Sequence, residues 1–100
     1  MDKLIAVIRP QRAGLVCERL HGAGLVTELS AVEVMGSNRE VAKRLAASFA
    51  VEALPMVAVE GLVDRRDRAA VVEVICSTCR TGRAGDGKIF FLGPIDEIVC

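Results

Sequence analysis

The residues best suited to chemistry lie in one stretch, Thr81-Gly82-Arg83-Ala84-Gly85-Asp86-Gly87-Lys88, which runs straight into Ile89-Phe90-Phe91. Three of the chain's nine glycines fall here within six residues. Glycine admits positive φ and lets the backbone come close to a ligand. Successive N–H groups in such a loop can form an anion-binding nest, and Lys88 adds a compact positive charge. The chemistry this suggests is phosphate binding. The bland alternative is a glycine-rich turn that holds nothing.

Gly82 to Lys88 also has the G-x-x-x-x-G-K spacing of a Walker A loop. That motif needs Ser or Thr after the lysine to hold Mg²⁺, with a strand before it and a helix behind it. Here Ile89 follows Lys88. The order is reversed as well, with a helix expected up to about Cys79 and a strand from Lys88. A P-loop NTPase is therefore set aside. Catalysis has little else to stand on. The loop has no histidine, the chain has no paired-carboxylate motif, and Asp86 is the one nearby acid. In such a turn Asp86 is expected to bond backbone N–H groups. The chain reads as a non-enzyme.

The cysteines are Cys17, Cys76, Cys79 and Cys100. Redox C-x-x-C motifs place the reactive thiol at a helix N-terminus, where the dipole lowers its pKa. Cys76-Ser77-Thr78-Cys79 is expected at a helix C-terminus, so these cysteines read as small apolar side chains, with Cys100 the exposed thiol. A zinc site would need partners that one histidine, His21, and a single C-x-x-C do not supply. His21 is expected at the surface near the end of its helix, and no metal site is expected.

The elements that position the glycine loop follow from periodicity. Leu4 to Ile8 is an apolar run suited to a central strand, closed by Arg9-Pro10. A helix is expected over Arg12–Ala23, with Leu15, Val16, Leu20 and Ala23 on one side and Arg19 at that face's edge; Gly22 and Gly24 stop it. A second strand is expected over Val26–Met35 and a third over Met56–Leu62, opened by Leu54-Pro55. Between them Ser37-Asn38-Arg39-Glu40 is a capping box. Val41, Leu45 and Phe49 then predict a short amphipathic helix from Asn38 to about Ala50. Asp64 is placed to cap a second long helix whose stripe is Val71, Val72 and Ile75. The last strands are expected at Lys88–Leu92 and, after the Gly93-Pro94 turn, at Ile95–Val99.

The fold class expected is α+β. Its order, β-α-β-β-α-β, is the ferredoxin-like arrangement, a four-stranded antiparallel sheet with two helices on one face. The other face then needs cover. With 52% hydrophobic residues but only 3% aromatic, the chain has aliphatic side chains to spare for contact with identical subunits. Residues 1–100 are expected to form one domain. The 13 basic and 13 acidic residues cancel, so nothing favours nucleic acid or an anionic membrane. No apolar run approaches a membrane-spanning length, and the first residues lack a signal-like core. A cytoplasmic location is expected.

T-G-x-x-G-D-G-K-I-F, from Thr81 to Phe90, resembles the C-terminal signature of the PII signal-transduction family. Leu4-Ile-Ala-Val-Ile-Arg-Pro10 is similar to that family's first strand, Val34-Met-Gly36 to its exit into the T-loop, and Leu54-Pro55 to the return. The resemblance covers essentially the whole chain. It implies a homotrimer that binds adenine nucleotides in clefts between subunits. Such proteins report to a transporter, enzyme or transcription regulator through the T-loop, here about residues 37–53. It carries the phosphate turn onto Gly85, Asp86, Gly87 and Lys88, the T-loop base onto Gly36 and Arg39, and positions near the adenine onto Ser30 and Glu60.

Departures from the family pattern modify the expectation. Glu40 stands where the family has the glutamine that helps bind Mg²⁺ and 2-oxoglutarate, and Met56 where it has a lysine. Glu40 can hold Mg²⁺, but it repels a dicarboxylate. Nucleotide binding without 2-oxoglutarate sensing is therefore expected. The sequence as given stops at Cys100, about where the resemblance would supply arginines to the phosphates, which makes ADP and AMP candidates beside ATP. No tyrosine is present for uridylylation. The alternative is a trimeric module of the same fold whose nucleotide site has decayed and which senses another small molecule.

Overall fold

A computed structural model describes residues 1–35, 55–82 and 86–100. The elements run β1 (Asp2–Ile8), α1 (Pro10–Gly22), β2 (Thr27–Met35), β3 (Pro55–Val63), a 3-10 turn (Arg65–Asp67), α2 (Arg68–Cys79) and β4 (Gly87–Leu92). The strands form one antiparallel sheet in the order β2-β3-β1-β4. This is the expected ferredoxin-like βαββαβ fold. The expected helix over 38–50 and the rest of the 37–53 loop lie outside the described residues.

Helix α1 begins at Pro10, two residues before the expected start, because proline at the first helical position lacks only an N–H that would have had no partner. Its buried residues are Ala13, Val16 and Leu20, at i, i+3 and i+7. Leu15 is only half-buried and Ala23 is exposed, so the apolar stripe is rotated from the expected one. Gly24, at φ 65, ends the helix in the left-handed region. His21 is exposed, as expected.

Asp64 does cap, but what it caps is the 3-10 turn, its Oδ1 accepting the Arg66 N–H at 3.1 Å. Helix α2 buries Val71, Ile75, Thr78 and Cys79, while Val72 is turned out. The Arg19 side chain on α1 donates to Thr78 Oγ1 at 3.0 Å and ties the two helices together.

Leu4, Ala6 and Ile8 on β1 and Val57, Val59 and Val63 on β3 meet Val16, Leu20, Val71 and Ile75 from the helices. Full burial of each large aliphatic side chain contributes roughly 1.5–3 kcal/mol. Along β1 burial alternates strictly, so both helices cover the same face. The expected strand at 95–99 is not formed. Residues 93–100 have no regular structure, and Ile95 gives a single backbone N–H to Met1 O at 2.8 Å. Pro94, which has no N–H, stands where a ladder would have to start.

Among the described residues Asp2 is the one buried carboxylate, its side chain 1% exposed. Arg65 grips it as a fork, Nη2 to Oδ1 at 3.1 Å and Nε to Oδ2 at 3.3 Å. Arg68 lies 3.7 Å from Oδ2 and stacks on Phe91 at 4.5 Å. The Arg65 hydrogen bonds hold the Asp2 carboxyl below its ordinary 3.8, against burial, which pushes the other way. A carboxylate depressed in the folded state stabilises fully above its unfolded pKa, and the contribution fades as pH falls through the folded one. Urea unfolding followed from pH 6 downward should therefore lose stability below about pH 4. In Asp2→Asn that part of the slope should be absent.

The helix-free face carries Ile5 and Val7 on β1, Val32 and Val34 on β2, Ala58 and Leu62 on β3, and Phe90 and Leu92 on β4, paired across the sheet in register. Val32 is 54% exposed, Phe90 49% and Leu92 52%. Lys3, Ser30, Glu60 and Lys88 share this face with them, mainly toward its two ends.

Candidate functional site

The glycine loop is held shut by Asp86. The Thr81 N–H donates to Asp86 Oδ2 at 2.8 Å, and the Thr81 hydroxyl donates to Oδ1. Arg9, just beyond the end of β1, places Nε 3.6 Å from Oδ1. Asp86 thus bonds a backbone N–H, as its place in a glycine-rich turn predicts. With both oxygens engaged it is a clasp and is poorly placed as a general base. Gly82, at φ 80, takes a conformation that a side chain would oppose. Gly87 lies against Val7 O and Ile8 Cγ2, each 3.1 Å from where a Cβ would stand, so the turn sits tightly on the end of β1. Lys88 follows on the exposed edge strand β4, opposite Val7, on the helix-free side.

Ser30 and Glu60 lie elsewhere. They are directly paired across β2 and β3. Together with Lys3, Glu28, Gly61, Leu62 and Ile95 they line an open cavity of about 350 Å³. Lys3 Nζ lies 3.8 Å from Glu60 Oε1, a half-exposed ion pair that leaves Glu60 free to turn toward a ligand. Leu62 and Ile95 supply apolar wall, and Ser30 supplies a hydroxyl that can donate or accept. Sequence reasoning missed Lys3, Glu28, Gly61, Leu62 and Ile95. Only strand register brings them together, and register is a long-range property.

The cavity contains a local irregularity. Thr27 pairs with Leu62 and Ser30 with Glu60, so Glu28 and Leu29 together oppose Gly61. This two-against-one count is a β-bulge. Glu28, its first residue, has φ 53, the conformation in which such bulges usually carry glycine. The opposing Gly61 is obligatory for a different reason, since a Cβ there would run into Val26 Cγ1 and lie 3.0 Å from Thr27 O.

The two parts of the predicted site are far apart on one chain. The cavity centres where Leu4 faces Gly61, and the glycine turn sits where Ile8 faces Gly87. Those levels are four residues apart on β1, about 13 Å along the strand. The parts also lie on opposite sides of the sheet order, β2 and β3 against β4, roughly 10–14 Å across. Between them lie Ile5, Val7 and Ala58. A nucleotide bridging the two parts on one chain would have to stretch across that apolar floor and set charge on it. Gly36, Arg39 and Gly85, also predicted for the site, lie outside the described residues.

The remaining motifs carry no comparable chemistry. Cys76 and Cys79 are unoxidised at the end of α2. Burial pushes the Cys79 thiol up, and likewise that of Cys17, away from thiolate reactivity. Cys100 is exposed, as expected. Among the described residues no cluster of His, Cys, Asp and Glu is arranged to hold a metal, and no helix is long and apolar enough to cross a membrane.

Known proteins match the chain over nearly its full length. The family model described as nitrogen regulatory protein P-II matches residues 1–99. The chain is similar to nitrogen regulatory protein P-II 2 of Methanothermobacter thermautotrophicus, 33% identical over 102 residues, covering 99% of this chain and 87% of that protein. It is 36% identical over 102 residues to nitrogen regulatory protein P-II of Cereibacter sphaeroides and 37% identical over 101 residues to that of Synechocystis sp., covering 99% of this chain and 89% of the relative in each case.

Proposed function

The chain belongs to the nitrogen regulatory protein P-II family, and from that premise we propose that it is a regulator which binds an adenine nucleotide (ADP, AMP or ATP) between subunits of a homotrimer. The observation that carries the reading is the separation of the two parts of the site. A clasped glycine turn with Lys88 stands at one edge and end of the sheet, and the Ser30–Glu60 cavity at the other. In a cyclic trimer each interface is heterologous, joining two different patches, and in the proposed one the β4 edge of one subunit meets the β2–β3 edge of the next. The open apolar face closes toward the axis, and turn and cavity come together across each interface. The phosphates lie on the N–H groups of the turn and on Lys88, with Asp86 holding the turn in shape. The base lies in the cavity beside Ser30 and Glu60.

On this reading Gly36 and Arg39 complete the phosphate side, and the loop over 37–53 carries the state of the site to a transporter, enzyme or transcription regulator. Met56 is 6% exposed and packs as an apolar side chain opposite Val34, where a dicarboxylate would need a cation. Glu40 adds a like charge in the same part of the sequence. Both favour a regulator that responds to the nucleotide alone, without 2-oxoglutarate.

Isothermal titration of the purified protein with ATP, ADP and AMP, each with and without Mg²⁺, tests the proposal. Saturable binding approaching one nucleotide per chain is expected. Folded trimer that binds none of the three would refute it in favour of a scaffold with a decayed site.

A further inference from the structure

We infer that Glu28 is a specificity-determining residue of the cavity, its carboxylate reading a hydrogen-bond donor on the bound nucleoside. This rests on the nucleotide-binding reading above and goes further, because it assigns a role to a side chain that the glycine turn and the Ser30–Glu60 pair do not involve. Glu28 has φ 53, the only positive φ at a non-glycine position among the described residues. Glutamate is not among the residues that adopt this region easily. Glycine at this bulge position would remove the strain, so a side chain here works against the fold.

Among the described residues the Glu28 carboxylate takes part in no hydrogen bond or ion pair, and it is exposed. The neighbouring acid differs, since Glu60 has Lys3 at 3.8 Å. Bulges re-aim side chains beside binding sites, and this one sets Glu28 on the lining of the 350 Å³ cavity with Ser30, Glu60 and Leu62. The carboxylate therefore stands where it can meet what enters the cavity.

Its chemistry limits what it can recognise. An ionised carboxylate accepts hydrogen bonds and donates none. It favours a nucleoside group with N–H or O–H donors, namely the exocyclic amino group of adenine or a ribose hydroxyl. It disfavours a bare carbonyl in the same place, where two acceptors would face each other with no proton between them. Lys3 is already drawn to Glu60 and leaves this preference in place.

The test compares ADP, inosine diphosphate and 2′-deoxy-ADP by titration calorimetry on the wild-type chain, Glu28→Gln and Glu28→Gly, with thermal melts alongside. Glu28→Gln keeps size and backbone strain while removing the charge; Glu28→Gly removes both side chain and strain. Glu28→Gly should melt higher by a few degrees and yet bind ADP about tenfold more weakly or worse. That opposition is what a merely structural role would not produce. If Glu28 reads the base, inosine diphosphate binds the wild type about tenfold more weakly than ADP, and the variants lose that discrimination. If it reads the sugar, 2′-deoxy-ADP is the ligand disfavoured by the wild type and no longer by the variants. Tight wild-type binding of all three ligands that neither substitution changes by more than about twofold would overturn the inference and leave the nucleotide site standing. A wild-type chain that binds no nucleotide would overturn both.

Discussion

Lys88→Ala is expected to weaken adenine-nucleotide binding by roughly 10- to 100-fold while leaving the fold and the assembly intact. Lys88 is exposed on an edge strand, so its removal opens no cavity in the core. What it removes is a cation beside the turn on which the proposed site sets the phosphates. A hydrogen bond to a charged group contributes about 1.5–3 kcal/mol, which is the stated range in affinity. The loss should grow with the number of phosphates, least for AMP. The N–H groups of the turn and the Thr81–Asp86 clasp remain, so residual weak binding is expected rather than none. Calorimetry and a thermal melt on the same preparation check both halves of this. Unchanged affinity for ATP and ADP would mean that the turn is structural only.

The largest effect is expected from Phe90→Asp. Phe90 is 49% exposed on the helix-free face, level with Ile5 and flanked along β4 by Lys88 and Leu92. In the proposed trimer this face is buried against its copies, and a carboxylate placed there without a partner costs several kcal/mol at each of the contacts it enters. Sedimentation velocity should show the wild type as a trimer and Phe90→Asp as a monomer with an unchanged circular dichroism spectrum. Nucleotide binding should vanish with the trimer, although every residue assigned to the site is still present. Phe90→Leu, which keeps the face apolar, should retain both. A monomeric variant that binds ADP as tightly as wild type would place the site within one chain.

Much of this was legible in the sequence where the cause is local. The apolar run Leu4–Ile8, the Arg9-Pro10 stop and the Asp64 cap act over a few residues, and the structure has an element or a turn at each. What escaped depends on packing between distant segments. The buried stripe of α1 includes Ala13 rather than Ala23 because the helix ends at Gly22, leaving Ala23 as its exposed C-cap, and Ala13 shares the face of Val16 and Leu20 that packs into the core. The strand expected at Ile95–Val99 has enough apolar residues, but it follows Pro94 and, among the described residues, makes one backbone hydrogen bond, to Met1. On the site, the turn was visible because glycine and lysine advertise themselves. The cavity was only half visible. Ser30 and Glu60 came from the family resemblance, whereas Glu28 and Lys3 join them through a bulge and a strand register that no short window of sequence contains.

The bulge also shows how fold and site are connected. Gly61 accepts no side chain because Val26 and Thr27 press on it, and Glu28 is strained because the extra residue opposite Gly61 has to be accommodated. One irregularity thus shapes the cavity wall and projects an acid into it. A protein under selection for stability alone would carry glycine at 28.

The central claim is that each site is built from the turn of one subunit and the cavity of the next. It is tested most directly by mixing two defects. Lys88→Ala and Glu60→Ala chains, each with its own tag, are co-expressed, and trimers carrying both tags are isolated. Neither homotrimer should bind ADP tightly. Going once around any mixed ring, one boundary sets an intact Lys88 against an intact Glu60, so about one tight site per mixed trimer should return. If both residues serve a site within a single chain, every chain in the mixture is defective, and the mixed trimers would bind no better than either parent.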